Sequence, residues 1–209
     1  MNTTYNSPEG MNDPENIHVE GILVKCVTFA SEEERKEALY KLCVETGALT
    51  ESCVNHLIAM GFLTAPASTK YHGAYAGGLF DHSYNMATVL QTLTNKLNLY
   101  WDDPKSPVRV GILHDLCKID QYFWDTNTSS YKYRDNILIP GHGIKSVVLS
   151  QQLPDVSLTW EETACIIYHM GAFTDKDEWK DYTNAVHRCP NVLWTHTADM
   201  YAAHVLEVI

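Results

Sequence analysis

Residues 110–120, VGILHDLCKID, put a histidine and an aspartate side by side, His114 and Asp115, at the end of an apolar run, with Lys118 three positions on. Ionisable groups buried at such a place without compensation are costly, so the pair calls for a counter-ion or a metal. Four more residues of ligating type stand in separate segments: His82 in GGLFDHSYNM, His142 in PGHGIKS, His169 in CIIYHMG and Asp199 in THTADMY. The steps between the six are 32, 1, 27, 27 and 30 residues. Each long step is one helix plus a return connection, so a helical bundle can gather all six into one site. Imidazole and carboxylate donors suit Fe, Mn, Co, Ni or Zn, with Fe or Mn the first choice, and the lack of cysteine ligands argues against a structural zinc knot.

The elements that would position these residues are mainly helical. SEEERKEALYKLCVETG reads as a helix with a Ser31/Glu34 capping box and Gly47 as its stop, and TESCVNHLIAMG follows as a second helix. A loop, LTAPASTKYHGAYAGG, feeds a helical stripe over 79–97 with His82 near its start. Ser106 and Pro107 predict the cap and first residue of a short helix that ends at His114 and Asp115. Two aromatic clusters flank a polar turn in QYFWDTNTSSYKYR, which predicts a β-hairpin near 121–134. A helix follows PGHG to about Gln152, Thr159 and Glu162 cap another that ends at Gly171, and two more flank Cys189-Pro190. The expected architecture is a mainly α bundle with one small hairpin, a flexible tail over 1–17 and a single domain over 18–209.

Composition narrows the function. With 26 acidic against 15 basic residues and a net charge of -11, the chain is ill suited to coating nucleic acid, whose binding depends on Lys and Arg at phosphates. A small anion remains a fitting substrate if metals supply local positive charge. The N-terminus is neither basic nor apolar and no apolar run approaches ~18 residues, so no membrane span or export is expected. Cys26, Cys43, Cys53, Cys117, Cys165 and Cys189 are scattered without a Cys-x-x-Cys pair, and read as thiols in a reducing, cytoplasmic setting.

Over about residues 57–203 the chain resembles the HD-domain superfamily of metal-dependent phosphohydrolases. GGLFDHSYNM is similar to its first-histidine helix, GILHDLCK to its His-Asp-x-x-Lys motif, and Asp199 to its terminal aspartate. His142 and His169 resemble the additions of the branch that holds two metals, a branch that includes cyclic-dinucleotide phosphodiesterases and mixed-valence di-iron oxygenases. The resemblance implies an HD-domain helical bundle in which Asp115 bridges two divalent ions. His82, His114 and Asp199 would hold one ion, and His142 and His169 the other. A shared water would then be activated to attack phosphorus. The expected substrate is a small anionic phosphate ester, nucleotide or dinucleotide. An oxygenase on a small polar substrate and a metal-binding regulatory protein are the alternatives.

Around these ligands, Lys118 lies one helical turn from Asp115 and is the candidate for stabilising phosphoryl charge. Lys145 and Ser146, at the start of the helix after PGHG, are candidates for a further phosphate contact. Tyr71 and His72 precede the first ligand helix and are expected to line the pocket. His196, three residues before Asp199, is expected to face the site or to hydrogen-bond a ligand from outside. His18, His56, His187 and His204 have no such context and are read as structural.

Overall fold

The helix boundaries follow from side chains that take up otherwise free end groups. The structure, a computed structural model, describes residues 24–139, 141–174 and 176–207; the expected tail over 1–17 and His18 lie outside them. Ser31 Oγ accepts the Glu34 N–H at the head of α1 (Glu32–Leu39). Glu34 returns its carboxylate to the N–H of Ala30, one residue before the position a reciprocal capping box would use. After a π turn (Tyr40–Val44) and Gly47 at φ 70°, Thr50 caps α2 (Glu51–Ala59).

Next come α3 (Gly78–Leu97) and α4 (Ser106–Leu113), then a 3₁₀ turn (Leu116–Ile119) and an antiparallel hairpin of β1 (Tyr122–Asp125) and β2 (Ser130–Tyr133) in the register Tyr122 to Tyr133. The last elements are α5 (His142–Ser150), α6 (Trp160–Ile167), α7 (Trp179–Arg188) and α8 (Asn191–Tyr201). The chain is therefore mainly helical with one small hairpin, in the place the aromatic clusters predict. Among the described residues no helix is long and apolar enough to cross a membrane.

Two boundaries differ from expectation. Ser106 does not cap α4: the helix already includes it, and its hydroxyl donates 2.8 Å to the buried carboxylate of Glu162. No side chain caps α4; Asp103 makes the turn before it, accepting the Lys105 N–H at 2.9 Å. The helix opened by Thr159 and Glu162 has the full reciprocal box but stops at Ile167, before Gly171. There the ring of His169 donates to the Ile166 carbonyl, which takes up one of the end acceptors the helix leaves free.

α3 is the central helix, packed on α4 and α8, while α6 packs on α4, α5 and α8. Leu79, Phe80, Met86, Leu90, Ile112, Leu113 and Ile166 are fully buried between them. Each such side chain contributes ~1.5–3 kcal/mol. Two glycines allow the approach that brings ligands together. A Cβ on Gly111 would lie 2.4 Å from the Ala87 Cα, so α4 can press onto α3, and one on Gly143 would lie 2.2 Å from the Ile167 carbonyl, so α5 begins against the end of α6. Arg35 anchors the head of α3 by a two-pronged bond to buried Asp81, at 2.8 and 3.0 Å, with the Tyr75 hydroxyl adding a third. Removing either partner of such a buried pair costs ~3–5 kcal/mol.

Candidate metal centre

Two of the candidate ligands, His114 and His169, sit just past helix ends, where the backbone itself orients them. His114 follows α4 and its Nδ1 lies 2.9 Å from the Gly111 carbonyl; His169 follows α6 and its Nδ1 lies 2.7 Å from the Ile166 carbonyl. A carbonyl only accepts, so in both rings Nδ1 carries the hydrogen and Nε2 of the neutral ring presents a lone pair. Both Nε2 atoms are buried and have no hydrogen-bond partner, and Asp115 Oδ1 is in the same state. All three converge: Asp115 Oδ1 lies 3.5 Å from His169 Nε2, and Asp115 Oδ2 lies 3.4 Å from His114 Nε2 and 3.8 Å from His82 Nε2. Asp199 Oδ1 completes the group at 3.0 Å from His82 Nε2 and 3.7 Å from His114 Nε2.

Five of the six expected ligands, Asp115 among them, thus come together, and the two oxygens of Asp115 face different histidines. The sixth, His142, opens α5 and comes within 4.8 Å of donor atoms of Asp115 and Cys117. Its Nδ1 lies 3.6 Å from Cys117 Sγ. Burial pushes the Cys117 thiol up to about 12, so in the protein without metal it stays protonated beside His142. Orphaned buried nitrogens and a buried carboxylate oxygen, all aimed at one point, fit divalent cations bound by nitrogen and oxygen.

The electrostatics of the protein without metal agree. Burial opposes charge on Asp115, but Lys118 and then His114 and His169 outweigh it and hold its pKa well below the usual carboxylate range. Burial likewise opposes charge on His82, while Glu207 and Asp199 outweigh it and raise its pKa to about 10. With Nδ1 at Glu207 and Nε2 at Asp199, this ring carries both protons. A cation at Nε2 would take the place of one of them. Burial lowers the pKa of His142, which keeps that ring neutral and ready to donate a lone pair.

Above the ligands lies a cavity of about 380 Å³, with Asp115, Lys118, His142 and Asp199 in its floor. Lys118 is buried, its Nζ 2.5 Å from Asp115 Oδ2. Tyr71 and His72 line the same cavity, and the His72 ring packs 4.7 Å from that of His82. His196 stays outside: its Nδ1 donates 2.8 Å to the main-chain carbonyl of His169. Two residues expected to contact phosphate have other tasks. The Lys145 ammonium pairs with Asp120 in a separate small cavity behind His142, and Ser146 is fully buried with its hydroxyl accepting the Cys117 N–H at 3.1 Å. Neither can meet a ligand in the main cavity, because each is spent on packing the 3₁₀ turn against α5.

Sequence reasoning missed two residues. Glu207 lies beyond the last motif and orients His82 across 125 residues, with no local pattern to mark it. His204, read as structural, lines the cavity and packs 6.4 Å from the His72 ring; a spacing of five from Asp199 would set it off that face of an α-helix, and the π turn at Ala202–Leu206 is what carries it there. His56 and His187 are exposed and do not line the cavity. No family model, curated protein or solved structure matches the chain, so the functional reading stands on this geometry.

Proposed function

We propose that this chain is a metal-dependent hydrolase of small phosphate esters with an HD-type dinuclear centre. The observation that carries the reading is the convergence of three orphaned buried atoms, His114 Nε2, His169 Nε2 and Asp115 Oδ1, the last belonging to a residue in the floor of an open cavity. By the resemblance, His82, His114, Asp115 and Asp199 would hold one ion, and Asp115, His142 and His169 a second, Fe or Mn by donor type. Donor atoms of His82, His114 and Asp115, of His114, His169 and Asp199, and of Asp115, Cys117 and His142 lie within 4.8 Å of one another in each group. Bound ions of this kind supply Lewis acidity, neutralising phosphoryl charge and lowering the pKa of a coordinated water towards ~7.

The chain's own residues do the rest. The main-chain carbonyls of Gly111 and Ile166 and the Glu207 carboxylate fix the three imidazoles, so no reorientation is needed on binding. Lys118 is the one lysine or arginine among the described residues lining the cavity, which puts it within reach of a phosphoryl oxygen. Met170, Met200 and Ala203 in the walls reduce access of bulk water to the floor.

The test is phosphate release from a panel of monoesters and diesters by protein purified anaerobically and supplied with Mn or Fe. Release that disappears with chelator supports the reading. Oxygen uptake without phosphate release would overturn it in favour of an oxygenase on the same ligands.

A further inference from the structure

Of the four fully buried cysteines, Cys43, Cys53 and Cys165 lie in the apolar core, and Cys117 does not. It sits in the 3₁₀ turn that follows His114 and Asp115, with its Sγ 3.6 Å from His142 Nδ1. Among the described residues, the one group of mutually close donors that includes His142 is Asp115, Cys117 and His142, all within 4.8 Å of one another. His169, the partner that the resemblance gives to His142, is not in that group.

The sulfur is held where it is from two sides. The Cys117 N–H donates to Ser146 Oγ at 3.1 Å and Asp120 pairs with Lys145, so the turn that carries Cys117 is fastened to α5, which carries His142. The third donor of the group, Asp115, has a buried Oδ1 without a hydrogen-bond partner. An ion ~2.3 Å from the sulfur and ~2.0–2.1 Å from the nitrogen would subtend about 110° across the observed 3.6 Å, close to the tetrahedral angle. A sulfur that only oriented His142 through a hydrogen bond would leave the ion to nitrogen and oxygen donors alone. The two roles therefore differ in the metal they favour.

We propose that Cys117 is a ligand of the second metal position, which it forms with Asp115 and His142 as a sulfur, oxygen and nitrogen donor set. On binding, the Cys117 S–H bond breaks, its electron pair stays on sulfur to bond the ion, and the proton goes to water. The two positions then differ in softness. His82, His114 and Asp199 offer nitrogen and oxygen alone, while the thiolate tilts the second position towards Zn or Co and away from Mn. The inference rests on the dinuclear reading for the existence of a second position, and not on phosphate as the substrate.

The experiment titrates Co(II) anaerobically into the metal-free full chain, wild type beside Cys117→Ser and Cys117→Ala. It reads the near-ultraviolet thiolate-to-cobalt charge-transfer band, bound metal by elemental analysis, and phosphate release. The wild type should bind about two ions and show the band, and both variants should lack it with helical circular dichroism retained. In competition with a fluorescent chelator, Cys117→Ser should weaken Zn binding by about a hundredfold or more, beyond the ~10–100-fold that an outer partner of a ligand is worth, and Mn binding by less. Two ions bound to the wild type without the band would overturn the proposal, leave the dinuclear reading intact and reduce Cys117 to a hydrogen-bond neighbour of His142; this arm needs no variant to fold. A band that survives both substitutions, or equal losses of Zn and Mn affinity, would also overturn it. Binding of one ion or none would sink the proposal and the dinuclear reading together. The band without phosphate release would uphold the ligand and sink the hydrolase reading.

Discussion

Removing the Glu207 carboxylate should loosen metal binding without unfolding the chain. Its Oε2 lies 3.3 Å from His82 Nδ1 and its Oε1 3.1 Å from Asn85 Nδ2, and its side chain is only 10% exposed. Outer partners of ligating histidines are worth ~10–100-fold in metal affinity. The His82 contact is slightly longer than the usual ~2.7–3.2 Å for such a bond, which places Glu207→Ala at the lower end, about tenfold or ~1.4 kcal/mol. Glu207→Gln keeps an acceptor but loses the charge. Charge-assisted bonds are about twice as strong as neutral ones, so roughly half the effect, about threefold, is expected. The fold should survive because Asn85 still holds the N–H and carbonyl of Val27, at 2.9 and 3.0 Å. The assay is competition for Mn between the protein and a fluorescent chelator, with the thermal midpoint of the metal-free protein as control. An affinity for Glu207→Ala within twofold of wild type, or equal losses in both variants, would refute the reasoning.

Three further outcomes follow from the same geometry. His142→Ala should leave about one metal per chain by elemental analysis and strongly reduce turnover, because the four donors around His82 and Asp199 remain. Lys118→Ala should lower kcat by about 10²–10³ with metal content unchanged, as expected for one lost donor to transition-state charge; wild-type kinetics would reduce Lys118 to a counter-ion of Asp115. For His82, the folded pKa of about 10 lies above an unfolded value of ~6.5. The stabilisation from its proton is therefore complete below pH ~6.5 and is lost as pH rises through about 10. Thermal melts of metal-free protein should accordingly fall across that interval, while Mn titrations should release acid and tighten.

The sequence carried the parts of this account that depend on residue type and local periodicity. The aromatic clusters flanking Asp125 to Ser130 marked the hairpin, and Thr159 with Glu162 marked a helix start, because turn and cap chemistry act over a few residues. The six candidate residues at one-helix spacing stood out by type, and five of them meet in the structure. What was hidden depends on partners distant in the chain. Ser106 looked like a cap until Glu162 took its hydroxyl, and Lys145 looked free until Asp120 took its charge. The Arg35–Asp81 pair and the Glu207–His82 contact join residues 46 and 125 apart, beyond any periodic pattern. Nothing local in PGHG shows that the missing side chain of Gly143 lets α5 begin against the end of α6.

The central claim, that Asp115 is shared by two metal sites, is tested most directly by the metal-to-chain ratio of protein purified anaerobically and loaded with Mn, wild type beside Asp115→Ala. The account predicts about two ions per chain in the wild type and loss of both in the variant, with helical circular dichroism retained. A wild-type protein that binds no metal, or an Asp115→Ala protein that keeps two, would contradict it.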